Sequence, residues 1–556
     1  MTETFADGTS KVYTYSNKQE EANPQQPFMH TTPNYGNGLL ESILTLDSLG
    51  NDVQLQEYNY TYKISPDTVH AFHYSFHGST PILYNYNIHW PVQAYSHTLN
   101  YMDRYNEYSA NFYDDDCRLR NSETSVGNQH LTKTYHYADD RTDAVSQEMR
   151  SRHMVGMPVE TYLSTDKGII RGQKNTYSLN EGKIVTSDEA ILQTSVPLAA
   201  NDCNGKFTQH VRYRNYTLGG NPMYVDNGIM GKVFLWSYAD TYPVAEINGT
   251  TYDEVRRILS DGFIAALTSA SKPTKEQLAT VRALQNALPH ANVTTYTYDT
   301  ARGMTSICSP NGVTQKYEYD AGGKLICVKN TAGKVQERYA YTFNKFQSGS
   351  PSSITTTTML DDTGTGKLEK VQYFDGFGRP VQMAYNGVML GKDGTNTTNR
   401  TQSDYDALGR EWRTWLPIAG TSLGYASTIT SMARDRKAYY SNVYDALSRP
   451  TFVSSPGEDM QGKGKRKEYG TNDGNSVKKY RFSSGGIVGN SFYEKGELRM
   501  ERITDEEGAT LETYTDLLGN KVLERHDGDN DTYYIYNDAG LADLCTTAYV
   551  SGGRKS

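Results

Sequence analysis

The chain has 556 residues, 37% hydrophobic and 21% charged, a balance that excludes both a helical membrane bundle and a charge-rich disordered chain. No run approaches the ~20 apolar residues that a membrane-spanning helix needs, and a net charge of −9 argues against a nucleic-acid surface. Tyrosine is the outlier, 45 against 15 Phe and 4 Trp, and with 48 Gly it points to strands joined by tight turns.

In chain order, the first predicted element is a hairpin with Asp7-Gly8 as its turn and Val12–Tyr15 as its second strand. A hairpin this early, with no basic and apolar leader before it, suggests a polypeptide that once continued upstream. The run Leu46-Asp47-Ser48-Leu49-Gly50-Asn51-Asp52-Val53 joins two alternating strands, the second ending Tyr58-Asn59-Tyr60-Thr61-Tyr62. Tyr135–Asp139 and Asn221–Gly228 read as further hairpins, so residues 1–250 form a degenerate hairpin region. His153 reads as a packed strand residue. Asp114-Asp115-Asp116 offers three carboxylates that suit calcium in chemistry but read better as a solvated turn.

Residues 251–291 break the pattern. Thr251-x-x-Glu254 and Thr274-x-x-Gln277 are capping boxes, each followed by apolar residues at helical spacing. With Gly262 ending the first helix and Pro289 stopping the second, the segment predicts a helical hairpin covering a sheet edge or opening.

Residues 292–345 restore the strands and sharpen them. Tyr296-Thr297-Tyr298-Asp299 and Tyr317-Glu318-Tyr319-Asp320-Ala321-Gly322-Gly323 are two copies of one unit, with 21 residues from Asp299 to Asp320. Alternation puts the tyrosines on one face, Asp can accept from backbone N–H groups two residues on, and Gly supplies the positive φ that closes the turn. Such a hairpin buries its aromatic face only by stacking on its neighbours. Residues 346–370, rich in Ser, Thr and Gly, read as a linker. The unit then recurs over residues 371–556: Tyr373-Phe374-Asp375-Gly376-Phe377-Gly378-Arg379-Pro380, Tyr405-Asp406-Ala407-Leu408-Gly409-Arg410, Tyr444-Asp445-Ala446-Leu447-Ser448-Arg449-Pro450, Tyr514-Thr515-Asp516-Leu517-Leu518-Gly519 and Tyr536-Asn537-Asp538-Ala539-Gly540.

Chemistry is scarce. Gly420-Thr421-Ser422-Leu423-Gly424 matches a nucleophile-elbow pattern but lacks the surrounding parallel strand-turn-helix context, so Ser422 is not read as catalytic. Asp527–Asp531 has alternating carboxylates, yet Asp538 stands where a calcium loop needs a bidentate Glu. The basic stretch Gln461–Lys467 reads as a solvated loop, with an anionic partner as the alternative. The five cysteines, 117, 203, 308, 327 and 545, show no disulfide or zinc spacing, and Cys308 and Cys327 fall on the first and third strands of a meander. The repeat Asp residues, one per turn, are turn formers and not a catalytic pair. No catalytic residue, cofactor site or metal site is assigned.

These residues resemble the YD repeats of the bacterial RHS family. Residues 371–545 are further similar to a domain of unknown function found in long RHS proteins, through Gln372–Gln382, Trp415-Leu416-Pro417, Ser455-Pro456-Gly457, Thr504–Gly508 and Thr532–Tyr536. The resemblance implies an all-β fold in which repeated hairpins form a curved or spiral sheet that encloses a C-terminal effector. It also implies a cell-surface or secreted location. Residues 548–556 carry no feature of that family's core or of a toxin. The reading is therefore a non-enzymatic structural shell or scaffold segment, a fragment of a larger toxin-like polypeptide. Its expected partners are an effector or further RHS segments of the same polypeptide. The alternative is a glycan- or cell-surface-binding module that uses exposed tyrosines.

Overall fold

Among the described residues most strands pair with the strand that follows them, and every pairing is antiparallel. In the computed structural model, residues 1–17, 22–23, 26–30, 36–73, 82–344, 351–389, 396–420, 422–427, 436–460, 462–483, 486–528, 530–537 and 548–549 are described. They form one sheet of 34 strands plus two separate two-stranded ribbons, Ala22–Asn23 with Gln26–His30 and Lys478–Ser483 with Gly486–Phe492. The all-β expectation holds. So does the first hairpin, Thr2–Thr4 on Ser10–Tyr15, and the placing of Cys308 and Cys327 on strands either side of Thr314–Tyr319. Cys545 and the repeat residues Asp538 and Gly540 lie outside the described residues.

The regularity comes from the turns. Register shifts fall one residue before them, at Phe112/Tyr113, Glu318/Tyr319, Tyr373/Phe374, Asp404/Tyr405, Val443/Tyr444 and Tyr514/Thr515. This is the bulge expected when a type I turn is followed by a left-handed residue, and it adds local twist at each hairpin.

Several expectations need correcting. Residues 346–370 are not a linker over their described part. The strand Ser352–Met359 pairs on both sides, with Val335–Thr342 and Lys367–Phe374, because the β-branched run Thr355–Thr358 suits a strand far better than a loop. Tyr135–Asp139 is not a hairpin: the strand Gln129–His136 leads into a 3₁₀ turn and the helix Ala144–Ser151, capped by Asp143. His153 is exposed at φ 58° just past that helix, not packed in a strand. The helical insertion has three helices, Tyr252–Leu259, Asp261–Ser269 and Lys275–Ala287. Both capping boxes form, but Ser260 at φ 65° ends the first helix and caps the second, leaving Gly262 inside a helix.

These helices lie on a sheet face and not over an edge. They join strands Tyr242–Asn248 and Asn292–Asp299, which pair directly with each other. Val255, Leu267, Val281 and Leu284 from the helices meet Val233, Leu235, Val244 and Ile247 from the strands in the largest apolar cluster among the described residues. At ~25 cal/mol per Å² of apolar surface removed from water, this is where burial contributes most.

Candidate functional site: stacked turns and the seam they close

Three repeat turns share one bonding scheme. In Asp375–Arg379, Asp406–Arg410 and Asp445–Arg449 the Asp Oδ1 accepts backbone N–H bonds from the residues two and four ahead, all at 2.9 Å. The Asp Oδ2 accepts from Nε of its own turn's arginine, at 2.7, 2.6 and 2.8 Å. Four residues on from Asp is therefore where an arginine can both close the turn and neutralise the carboxylate. The left-handed residue between them is Gly378, Gly409 or, at φ 63°, Ser448.

Each arginine then reaches the next repeat. The Arg379, Arg410 and Arg449 guanidiniums lie 4.6, 4.8 and 4.2 Å from the ring centroids of Tyr405, Tyr444 and Tyr469. Those tyrosine hydroxyls donate back to the carbonyl that follows the arginine: Pro380 at 2.9 Å, Glu411 at 2.5 Å and Pro450 at 3.0 Å. The result is a ladder of cation–π contacts and hydroxyl hooks along the sheet, each contact worth ~0.5–2 kcal/mol. Elsewhere the hook survives without the arginine: Tyr319 donates to the Met304 carbonyl at 2.6 Å and Tyr536 to that of Lys521 at 2.9 Å. Tyr373 donates to Leu423 O at 2.8 Å, Tyr298 stacks on Tyr242, and the Tyr514 hydroxyl turns to Glu512.

The remaining predicted aspartates vary the scheme. Asp320 accepts from Gly322 and Lys324, and Asp299 from Ala301 in a turn without the arginine. Asp516 accepts from Asn520, which follows Gly519 at φ 81°. Burial tends to raise Asp375, but the Arg379 and Phe377 N–H donors and the guanidinium outweigh it and hold the carboxyl low. At Asp516 burial wins, and its carboxyl is raised.

Sequence reading missed a full member of this set. Asp114 accepts from Asp116 N and Arg118 N, and Arg118 Nε donates to Asp114 Oδ2 at 2.9 Å. The Arg118 guanidinium lies 5.4 Å from the Tyr137 ring centroid, and the Tyr137 hydroxyl donates to Leu119 O. Cys117 at φ 62° occupies the glycine position and hid the pattern; the signal left in the sequence was Tyr113-Asp114 with Arg118 four on. The triple aspartate is thus a repeat turn. Asp47 and Asp505 build similar turns without the arginine.

What the repeat turns do together is join the two halves of the chain. The Arg410 Nη2 reaches Asp7 Oδ2 at 3.1 Å. Arg449 grips Asp103 with both Nη atoms, and Arg499 bonds Glu107 at 2.8 Å and the Tyr105 hydroxyl at 2.6 Å. Gln129 completes the line, donating to Glu497 O and accepting from Leu517 N, both at 2.8 Å. Each pair unites residues 346 to 403 positions apart, so the row of turns at one end of the C-terminal strands docks on the row of turns at one end of the N-terminal strands. A cavity of about 710 Å³ lies along this seam, lined among others by Phe5, Asp103, Leu408, Leu447, Arg449 and Tyr469. Thr9 and Arg410 hold the Asp7 carboxyl below its ordinary range, against the opposing effect of burial.

The other sequence candidates stay apart from the seam. Ser422 is exposed, its carbonyl accepting from Arg400, and among the described residues no strand-to-helix turn surrounds it. Asp531 pairs with Arg525 and Asp527 accepts from Thr510 N, while Asp529 lies outside the described residues. The basic stretch is not a loop from residue 464 on: it lies in the strand Gly464–Thr471, paired on both sides, where Lys467 bonds Glu501. Among the described residues no three His, Cys, Asp or Glu side chains cluster as a metal would require, and no helix is long and apolar enough to cross a membrane.

Residues 347–472 match a family described as a domain of unknown function, DUF6443. No curated protein matches the chain. Among solved structures, the crystal structure of TcdB2-TccC3 superposes with a TM-score of 0.53 at 12% identity, covering 92% of this chain and 32% of that one. The chain has a TcdB2-TccC3-like fold. Two further crystal structures agree, TcdB2-TccC3 without its hypervariable C-terminal region (TM-score 0.51, 11% identity) and TcdB2-TccC3-Cdc42 (TM-score 0.51, 12% identity), each covering 92% of this chain and 34% of the other. The chain spans about a third of the length of these structures. The DUF6443 match overlaps the region 371–545 whose motifs resembled such a domain, beginning earlier and ending at residue 472.

Proposed function

We propose that the chain is a non-enzymatic scaffold, a wall segment of an RHS-type shell belonging to a bacterial surface or secreted protein. The seam carries this reading. Hairpins that stack only on sequence neighbours give an open ribbon, whereas here turns from the two halves lock together through Arg410, Arg449, Arg499 and Gln129. Likeness of fold to TcdB2-TccC3 over most of the chain supports the same reading. The repeat carboxylates among the described residues are engaged by turn N–H groups, which suits a structural role. The partners of such a segment are further shell segments and an enclosed effector.

Fractionation of native cells tests it, with an antibody to residues 439–533 read by immunoblot. A signal in the envelope or medium at a size well above that of this chain is expected. A cytoplasmic signal at the size of this chain alone overturns the surface-scaffold reading.

A further inference from the structure

Four repeat turns share a seat for a guanidinium. In Asp114–Arg118, Asp375–Arg379, Asp406–Arg410 and Asp445–Arg449 the arginine lies between its own carboxylate and a tyrosine ring. That tyrosine's hydroxyl hooks the carbonyl five residues on from Asp. The Asp516 turn builds the same seat. Its Oδ1 accepts from Asn520 N at 2.7 Å, and Tyr536 donates to the carbonyl of Lys521, again five on, at 2.9 Å. Position 520, however, is Asn. Its Nδ2 reaches Asp516 Oδ2 at 3.1 Å, where the other turns place Nε, and brings no charge. Among the described residues no cation pairs with Asp516.

A cavity matches the shorter side chain. About 640 Å³ lies beside this turn, lined by Asp516, Asn520 and Tyr536 together with Tyr480, Tyr493 and Gln129. It sits where the seam, the separate ribbon of Lys478–Ser483 with Gly486–Phe492, and the last repeat meet. Burial and the Asp516 carboxylate push the Tyr493 hydroxyl up, with Glu497 and Tyr536 adding to it, so Asp516 and Tyr536 both lie close to Tyr493. The cations lining the same cavity are engaged or solvated: Lys479 bonds Glu497 at 3.3 Å, and Lys167 and Arg481 are exposed. Lack of an arginine does not by itself make such a site. Asp47 also has Asn four on, but its turn is exposed, and Asn51 with the turn N–H groups holds its carboxyl low. At Asp516 burial raises the carboxyl instead. A carboxylate drawn out of water beside aromatic rings is the pairing that attracts a cation.

We propose that the cavity at Asp516 binds a guanidinium group, supplied by an arginine side chain of another polypeptide. The guanidinium bonds Asp516 Oδ2 among the rings that line the cavity, and so completes from outside the contact that Arg118, Arg379, Arg410 and Arg449 complete from within. Guanidinium is favoured over ammonium because these four seats all hold arginine, whose planar fork can pair with a carboxylate and stack on a ring at once. The site does not depend on the scaffold reading, since it follows from one turn and its cavity.

The test titrates the full chain with N-acetyl-L-argininamide by calorimetry, in about 0.15 M salt to screen diffuse attraction to the chain's net negative charge. Saturable binding with a Kd on the order of 1 mM or tighter is expected. N-acetyl-L-citrullinamide, close in shape but uncharged, should bind about tenfold more weakly or less. Asp516→Asn keeps the acceptor that closes the turn and removes the charge, and should weaken capped arginine about tenfold or more. Asn520→Arg, which rebuilds the repeat's own arginine, should abolish binding and raise the urea midpoint. Absence of binding at about 10 mM overturns the proposal, as does equal binding of the citrulline compound. Binding that survives both substitutions overturns it too. Free L-arginine binding about tenfold tighter than the capped form overturns the polypeptide source in favour of a small molecule.

Discussion

Two stretches of the same sheet are held by different physics. Around residues 231–299, strands are stapled from one face by three helices, and Leu235, Ile247, Leu267 and Leu284 are sealed from water. Across residues 373–471 buried apolar side chains are few, and the sheet is held by arginines on tyrosine rings and hydroxyls on carbonyls. The first solution tolerates irregular sequence as long as the face stays apolar. The second demands the same residue types at the same offsets in every repeat, which is why the repeats are visible and the helix-covered region looks degenerate.

That contrast can be broken most forcefully at Leu235. Leu235→Ala should cost ~3–4 kcal/mol, the range for a large-to-small change in a sealed core, read as a lower urea midpoint by tryptophan fluorescence. No single ladder residue should match it. Next comes Arg449→Ala, which strips Asp103 of its partner as well as the ring contact and should cost ~2–3 kcal/mol. Arg379→Ala, lacking a cross-seam carboxylate, should cost only ~1 kcal/mol. A double-mutant cycle of Arg449 with Asp103 should show coupling, and one of Arg379 with Asp103 none.

Acid separates the turn carboxylates. Asp7, Asp114 and Asp375 sit below their ordinary range. Their stabilisation is present above the unfolded pKa of about 3.9 and is lost as pH falls through the lower folded values. Asp516, raised by burial, runs the other way: its contribution is full at low pH and is lost as pH rises through the folded value. Asp516→Asn should therefore hold or raise the urea midpoint at neutral pH, while Asp375→Asn lowers it. A smaller effect is expected at Tyr444→Phe, ~1 kcal/mol for the bond to Glu411 O. Smallest of all, Cys117→Gly should stabilise by ~0.5–1 kcal/mol, since glycine adopts φ 62° without strain, measured as a raised thermal midpoint.

The local grammar of the fold was readable because each unit is a hairpin whose strands, turn and hook lie within some twenty residues. The two capping boxes were readable for the same reason, as Thr251 and Thr274 bond residues three ahead. The middle helix was not, because its boundary depends on the left-handed Ser260. The Thr355–Thr358 strand was missed because Ser, Thr and Gly at its flanks suggested a loop, whereas pairing on both sides decides its state. The seam left no trace: Asp7, Asp103, Glu107 and Gln129 are ordinary turn and strand residues until the winding of the sheet brings them opposite the arginines.

The grip of Arg449 on Asp103 spans 346 residues, and that separation sets an order of events. Hairpins can form one after another as the chain leaves the ribosome, each closing within microseconds. The seam cannot form until the last fifth of the chain has been made. Loop closure over such a span costs little more than over half of it, about 0.6 kcal/mol per doubling, so the delay comes from synthesis and not from the equilibrium. Until then Asp103 and Glu107 stand as an acidic row on a growing ribbon, without the arginines that will neutralise them.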